Sequence, residues 1–214
     1  LLRSDTAWYW GESQQRSFQT VKDLLISPEV LAPYDPNRPT IVAADASNHG
    51  IGAVLIQTQD DGKRRPVCYA SRSLKDCEQR YAVIEKEALA ATWACEKFEE
   101  YILGLHFTIE TDHKPLVPLL STTALSKMPP RIQRFRLKLM RFSPSVVHVP
   151  GKQQIVADAL SRAPSSKPDD SDIAFIAEVE AYANHTVNTL PATQQRLLNI
   201  ADAQQADEEC MQII

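Results

Sequence analysis

The stretch TIVAADASNHGIGAVLIQT, residues 40–58, decides the fold of this chain. Small and β-branched residues fill two runs, residues 40–47 and 51–58, and only the turn-forming residues 48–50 separate them. This pattern predicts two short strands joined by a tight hairpin. A third run of the same kind, RPVCYAS at residues 65–71, follows a second turn signal. Together the three runs predict an antiparallel meander.

Downstream of the meander, the apolar residues recur at steps of three and four, which is typical of helices. Further along the chain, segments with this helical spacing alternate with segments that have the spacing of strands. The predicted elements are, in order, a long helix over about residues 76–102, a strand at 106–111, a helix that opens at Pro115, a helix at 131–142, a strand at 145–149 and a short helix at 155–161. The order β-β-β-α-β-α-α-β-α predicts an α/β fold with a mixed five-stranded sheet, three antiparallel strands followed by two further strands, flanked by helices.

Two flanking segments differ from this central region. Residues 12–26 have the spacing of one amphipathic helix, and a proline-rich connector at 30–39 leads to the first strand. Residues 165–214 contain no glycine and carry nine acidic and two basic residues, a net charge of −7, which leaves +3 for residues 1–164. We interpret residues 165–190 as a linker and expect helical structure at 191–214. The predicted divisions are 1–38, 39–164 and 165–214.

Composition excludes several classes of protein. The four cysteines show no C-x-x-C spacing, so neither a zinc knuckle nor a disulfide framework is predicted. No apolar run is long enough to cross a membrane, and no secretion signal opens the chain, so we expect no membrane partner. The chain starts at Leu1 without a methionine, which leads us to expect a piece of a longer protein.

Four acidic residues occupy positions where solvated carboxylates are not expected. Asp45 lies within an apolar strand, where an unpaired carboxylate would carry a large penalty, and Asp112 ends the fourth predicted strand. Glu87 lies on or near the apolar side of the long helix, and Asp158 interrupts the apolar helix IVADAL. A carboxylate cluster of this kind suits two Mg²⁺ or Mn²⁺ ions about 3.5 to 4 Å apart, which catalyse in-line attack on phosphorus without a covalent nucleophile.

Each acid also has an ordinary structural reading. A helix cap, a surface position or a salt bridge would explain any one of them, and Asp112 could simply cap the helix that starts near Pro115. Such a cap would leave Asp45 and Asp158 unexplained. Glu85 faces elsewhere on the long helix and is interpreted as a surface acid.

Three stretches resemble the RNase H domain of Ty3/gypsy-type retrotransposon polyproteins: TIVAADASNHGIGAVLIQ, YASRSLKDCEQRYAVIEKEALAATWACEKFEEYILGLHFTIETDHKPL and VVHVPGKQQIVADALSR. The resemblance covers about residues 8–164. It implies that Asp45, Glu87, Asp112 and Asp158 are the catalytic metal ligands, with two Mg²⁺ or Mn²⁺ as cofactors. Residues 1–38 then resemble the end of the reverse transcriptase, and residues 165–214 the acidic linker and helix toward integrase.

The resemblance implies hydrolysis of the RNA strand of RNA/DNA hybrids during reverse transcription. The partners it implies are the hybrid and the reverse transcriptase and integrase regions of the same polyprotein. It also implies an intracellular location, in the cytoplasm or a virus-like particle, with passage into the nucleus allowed. Cellular and retroviral RNases H carry a mobile histidine before the last aspartate. Here the only histidine in that segment is His148, which is predicted to lie in a strand rather than a loop. Product release would therefore depend on Lys152 or on no specific residue.

Basic and small polar residues are the candidates for nucleic-acid contacts. The window around residues 131–152 contains six basic residues and no acid, which suits phosphate binding, although a solvated helix face is the ordinary alternative. Discrimination of a hybrid depends on its 2′-hydroxyls, which small polar groups read in the minor groove. The candidate contacts are Ser47, Asn48, Ser71, Arg72, Ser73, Arg131, Arg134, Lys138 and Lys152. Tyr81 and Trp93 are assigned to the core.

The alternative function is an inactive or host-adopted RNase H-like module that binds nucleic acid or serves a structural role without cleaving. The presence of all four acids favours activity, since decay would be expected to remove at least one of them. A protein-interaction module built on residues 191–214 is a third reading. No Tyr-x-Asp-Asp sequence occurs, so this chain does not itself contain a polymerase site.

Overall fold

The computed structural model describes residues 8–27, 30–165, 169–188, 198–199 and 202–203, and its contacts divide the chain into two units, Leu1–Ile173 and Ala174–Ile214. The helices are α1 Glu12–Leu25, α2 Asp76–Gln79, α3 Val83–Lys97, α4 Glu99–Ile102, α5 Leu116–Ser121, α6 Pro130–Met140, α7 Ile155–Arg162 and α8 Asp170–Asn188. The strands are β1 Thr40–Ala46, β2 Gly50–Thr58, β3 Arg64–Ser73, β4 Phe107–Thr111 and β5 Ser145–His148.

The five strands form one mixed sheet in the order β3-β2-β1-β4-β5. The meander pairs β1 with β2 and β2 with β3 in antiparallel fashion, whereas β4 pairs in parallel with both β1 and β5. The predicted fold class is therefore confirmed. Because β1 is central and is followed in the sheet by the parallel strand β4, the C-terminal ends of these two strands lie side by side.

The core forms where α3 packs against β1 and β2 on one side and against α6 on the other. Residues 86–95 of α3 are all buried, and the alanines among them let the helix backbone approach the sheet closely. Trp93 is 1% exposed and Tyr81 is 8% exposed, so both predicted core aromatics are confirmed. Ile132, Phe135 and Leu139 supply the apolar face of α6.

The long helix predicted over residues 76–102 is wrong in its continuity, because it is divided into α2, α3 and α4. The first break comes at Ala82, whose backbone is extended (φ −58°, ψ 152°) and whose N–H donates to Glu85 Oε2 at 3.0 Å. Before the break, both carboxylate oxygens of Glu78 accept hydrogen bonds from Arg72, at 2.7 and 2.8 Å, in a fully buried pair. Apolar periodicity shows only which face of a helix is buried. It cannot show that Glu78 pairs with Arg72 of the preceding strand.

The acidic region after residue 164 also differs from its prediction. Helix α8 occupies Asp170–Asn188, most of the segment interpreted as a linker. Most of the helix expected at 191–214 lies outside the described residues. Among the described residues, no helix combines the length and the apolar character that crossing a bilayer requires.

Candidate metal centre

The parallel register of β1 and β4 places two of the four acids side by side. Ala43 is opposite Glu110, and the same offset, continued two residues further, places Asp45 beside Asp112. Asp112 directly follows the last residue of β4, where the chain leaves the sheet. This local arrangement explains how carboxylates separated by 67 positions in the sequence meet.

Glu87 completes a cluster of three acids. It lies in the second turn of α3, the helix that covers β1, and its carboxylate accepts a hydrogen bond from the backbone N–H of Ala46. Asp45, Glu87 and Asp112 each offer one carboxylate oxygen, and these oxygens all lie within 4.8 Å of one another. We call these three residues the acid cluster. The structure thus brings three of the four predicted ligands together.

Two members of the acid cluster are buried, and burial changes their protonation. Asp45 is 8% exposed and Glu87 is 6% exposed, whereas Asp112 is exposed. Burial, followed by repulsion from Asp45 and Asp112, raises the pKa of Glu87 from 4.5 to about 9. Burial is also the largest cause of the raised pKa of Asp45, with the charges of Asp112 and Asp158 adding to it.

The donor set fits divalent cations. No Lys or Arg among the described residues forms an ion pair with Asp45 or Glu87. The charge of Arg162 favours the ionised form of Asp45, but this guanidinium is paired with Asp158, so neither buried acid has a paired cation. Carboxylate oxygens are the ligands that Mg²⁺ and Mn²⁺ prefer. Bound cations would replace the missing counter-charge and favour the ionised acids.

Asp158 lies at the margin of the acid cluster rather than within it. Its carboxylate is bound by Arg162, with Nε and Nη2 both 2.7 Å from Oδ1, and its side chain is 41% exposed. Its charge is nevertheless close enough to contribute to the raised pKa of Asp45. The structure therefore groups Asp158 with the other acids by proximity, while its nearest charged partner is Arg162.

Two glycines let neighbouring segments approach the acids closely. Gly52, the cross-strand partner of Asp45, faces α7, and a Cβ atom there would lie 2.6 Å from backbone atoms of Ala157 and Ser161. A Cβ atom on Gly151 would lie 2.9 Å from Asp112 Oδ2. Because Gly52 and Gly151 have no side chains, helix α7 lies close to β2, and the turn at Gly151–Gln153 lies close to Asp112.

Sequence reasoning missed Ser161, which contacts an acid of the cluster directly. Its hydroxyl lies 2.6 Å from Asp45 Oδ2 and is completely buried. The apolar periodicity of IVADALSR gave no signal, because a serine near the end of a helix is ordinary. Only the close approach of α7 to β2 identifies it.

The basic residues of α6 are mostly paired within the protein. The guanidinium of Arg131 donates to Glu85 at 2.8 Å and lies 4.0 Å from the ring centroid of Tyr81, while Lys138 donates to Glu96 at 2.9 Å. Arg141 pairs with Glu99. The expectation that this basic face stays free is therefore wrong for three of its residues, which pair with acids of α3 and α4. Contact of Arg131 and Lys138 with nucleic acid stays a prediction. Glu85, interpreted as a surface acid, is a partner in one of these pairs.

The predicted contacts at the strand ends have different surroundings. Arg72 is 1% exposed and bound to Glu78, so its prediction as a nucleic-acid contact is wrong. Ser71 and Ser73 each hydrogen-bond to the backbone of Ser165 through their hydroxyls. Ser47 bonds the carbonyl of Ser161, and Asn48 accepts a hydrogen bond from Lys86.

The remaining candidate positions lie in the elements predicted for them. His148 lies in β5, as predicted; it is the last residue of that strand and is exposed. Lys152 is exposed in the turn next to Gly151. Arg134 lies on α6 and has partners within the protein. Contact of Arg134 and Lys152 with nucleic acid stays a prediction.

Comparison with known proteins gives a family match. A family model described as an RNase H-like domain found in reverse transcriptase matches residues 10–109. The chain is 38% identical over 154 residues to the retrovirus-related Pol polyprotein from transposon opus of Drosophila melanogaster, which covers 72% of this chain and 15% of that protein. It is 31% identical over 211 residues to the transposon Tf2-3 polyprotein of Schizosaccharomyces pombe, covering 94% of this chain and 16% of that protein.

Solved structures share the fold at low sequence identity. The foamy viral protease-reverse transcriptase in complex with dsDNA matches 69% of this chain and 32% of its own, with a TM-score of 0.51 and 14% identity. The dRH form of that protein with ds DNA covers 66% and 26%, with a TM-score of 0.51 and 17% identity. The family model and the polyprotein relatives show that the chain belongs to the RNase H-like domains of reverse transcriptases, as the RNase H region of a Ty3/gypsy-type retrotransposon polyprotein.

Proposed function

We propose that this chain is a ribonuclease H that hydrolyses the RNA strand of RNA/DNA hybrids during reverse transcription of a retrotransposon. The observation that carries the proposal is the acid cluster, in which carboxylate oxygens from three separate segments lie within 4.8 Å of one another and two of the acids are buried without an ion pair. A cluster with no cofactor would be costly, because buried carboxylates of like charge destabilise the fold.

The acids of this site have distinct places in the proposed reaction. Two Mg²⁺ or Mn²⁺ ions, when bound, would activate water and stabilise the leaving 3′ oxygen through their charge. The charge of Asp45 interacts with those of Glu87, Asp112 and Asp158, and Asp45 would hold the ions together with these acids. Glu87 would hold one side of the site from α3. Asp112 faces solvent, where a phosphodiester approaches.

The substrate proposal rests on the groups that surround the cluster. Asn48 is exposed in the β1–β2 turn, which follows Asp45. Lys152 is exposed next to Gly151, and Gly151 lies against the Asp112 carboxylate. Both side chains can therefore contact a substrate at the rim of the site. We infer that the turn residues read the minor groove of the hybrid and that Lys152 contacts a phosphate. The reverse transcriptase and integrase regions of the same polyprotein are the proposed partners, and the proposed location is the cytoplasm or a virus-like particle, with passage into the nucleus allowed.

A cleavage assay with matched variants tests this proposal. Labelled RNA/DNA hybrid, RNA duplex and DNA duplex are each incubated with the purified chain in Mg²⁺ or Mn²⁺. We expect cleavage of the RNA strand of the hybrid alone, and at least a hundredfold loss in Asp45→Asn and Asp112→Asn, since each removes a ligand from the cluster.

The control is Asp60→Asn, which removes an acid of the same size whose side chain is 90% exposed and lies outside the cluster. It should cleave as the wild type does. Equal cleavage by the wild type and both cluster variants would overturn the proposal. Hybrid binding with no cleavage in either metal would instead support the inactive or host-adopted module.

A further inference from the structure

The buried hydroxyl of Ser161 connects two acids of the site. Ser161 lies in the last turn of α7 and is 0% exposed. Its Oγ is 2.6 Å from Asp45 Oδ2 and 2.9 Å from the backbone carbonyl oxygen of Asp158. Its own carbonyl accepts a hydrogen bond from Ser47 Oγ at 2.7 Å, which fixes this end of α7 to the β1–β2 turn.

The hydroxyl has one hydrogen and two acceptors, so the two contacts compete. A separation of 2.6 Å is the short distance found when a hydroxyl donates to an ionised carboxylate. The longer contact, to the Asp158 carbonyl, is an ordinary neutral one. Ser161 therefore donates to Asp45 when that carboxylate is ionised, and this hydrogen bond opposes the rise that burial imposes on the pKa of Asp45.

Close packing prevents the hydroxyl from moving away. Gly52 is the cross-strand partner of Asp45, and a Cβ atom on it would lie 2.6 Å from the Ser161 backbone nitrogen. Helix α7 is thus as near to the strands as backbone contact allows. The fold thus brings one donor, the Ser161 hydroxyl, to one oxygen of Asp45, Oδ2.

We propose that Ser161 is a positioning residue, which holds the Asp45 carboxylate in the orientation needed to bind divalent cations. This inference rests on the proposed nuclease function. Without the donor, the Asp45 carboxylate is free to rotate, and repulsion from Asp112 and Asp158 turns it away from them. Hydrogen bonds to metal ligands commonly change metal affinity by about 10- to 100-fold.

The test measures metal binding without substrate. Ser161→Ala removes the donor from the whole chain, and Mn²⁺ and Mg²⁺ binding is followed by titration calorimetry. We expect the affinity to fall by about tenfold or more, and at saturating metal the KM for hybrid to stay unchanged. An affinity within about twofold of the wild type overturns the proposal.

The matched control is Thr92→Ala on α3, which also removes a fully buried hydroxyl that donates to a backbone carbonyl, that of Ala88 at 2.8 Å. It should lose stability in urea yet keep its metal affinity. If both variants lose affinity equally, Ser161 acts through general stability and the proposal fails. Should Ser161→Ala not fold, Ser161→Cys keeps much of the volume but offers only a weak S–H donor, and it should show the same loss.

The outcomes separate this inference from the proposed function. A wild type that binds metal but leaves hybrid intact refutes the nuclease function, while the affinity difference still decides the role of Ser161. A wild type that cleaves hybrid, beside a Ser161→Ala variant of equal metal affinity, refutes the positioning role alone. A wild type that binds neither cation overturns both.

Discussion

Replacing Glu87 by Gln should stabilise the metal-free protein and abolish its response to divalent cations. The pKa of Glu87 is raised from 4.5 to about 9, so between these values the folded chain holds a proton that the unfolded chain has lost. Stability from this group is complete below pH 4.5 and is lost as the pH rises through about 9, at about 1.4 kcal/mol per pH unit. Near pH 7.5 the loss is about 4 kcal/mol for a rigid site and about 2 kcal/mol once water and side chains relax.

Gln has no proton to lose and keeps an oxygen that can accept the Ala46 N–H, so the variant lacks this penalty. We expect Glu87→Gln in EDTA near pH 7.5 to unfold at a higher urea concentration than the wild type, by about 2 kcal/mol, with the difference shrinking toward pH 5. In excess Mg²⁺ the order should reverse, because a ligand that binds the folded state stabilises only the protein that retains its site.

Urea denaturation followed by circular dichroism between about pH 5 and pH 8.5 measures both effects. Glu100→Gln, which removes an exposed acid from α4, is the control and should follow the wild type in every buffer. Parallel pH profiles for wild type and Glu87→Gln in EDTA would show that Glu87 is ionised in the metal-free protein, and the reasoning from its burial would be refuted.

Three further substitutions test the packing around the site. Gly52→Ala would place a Cβ atom 2.6 Å from the backbone of α7, so we expect it to cost about 1 to 3 kcal/mol in urea denaturation; unchanged stability would contradict the close contact. Gly151→Ala meets only the exposed Asp112 carboxylate, at 2.9 Å, so stability should hold while the half-saturating Mg²⁺ concentration rises several-fold in the cleavage assay. Arg72→Ala strands the buried Glu78 and should cost about 3 to 5 kcal/mol, and Arg72→Met with Glu78→Leu should recover most of it, as measured by urea midpoint.

The elements that obey local rules could be predicted from sequence. Apolar periodicity and turn residues located the five strands, and an acid inside the apolar run of β1 indicated a special site at Asp45. Predicting that Asp45 lies beside Asp112 also requires the strand order, because neither segment by itself shows that β1 and β4 pair in parallel. Apolar spacing indicated that Glu87 lies on or near the buried side of its helix, and the family resemblance implied that it is a metal ligand.

The errors arise where side chains of different elements pair with one another. Arg72 is predicted as an exposed cation at a strand end, because apolar periodicity does not show that Glu78 of α2 points back to the strand and pairs with it. The basic face of α6 looked free, because its acidic partners lie 42 to 46 positions away. Ser161 gave no signal at all, since a hydroxyl acquires its role only when α7 rests on Gly52.

The pairs that link α6 to α3 and α4 have a consequence for ionic strength. Since carboxylates of the protein already act as counterions for Arg131, Lys138 and Arg141, few condensed cations are set free when a polyanion approaches this side. Affinity for nucleic acid should then decline gently as salt is added, less steeply than six unpaired basic residues would produce. Recognition of a hybrid would fall mainly to short-range contacts with its sugars, which salt screens little.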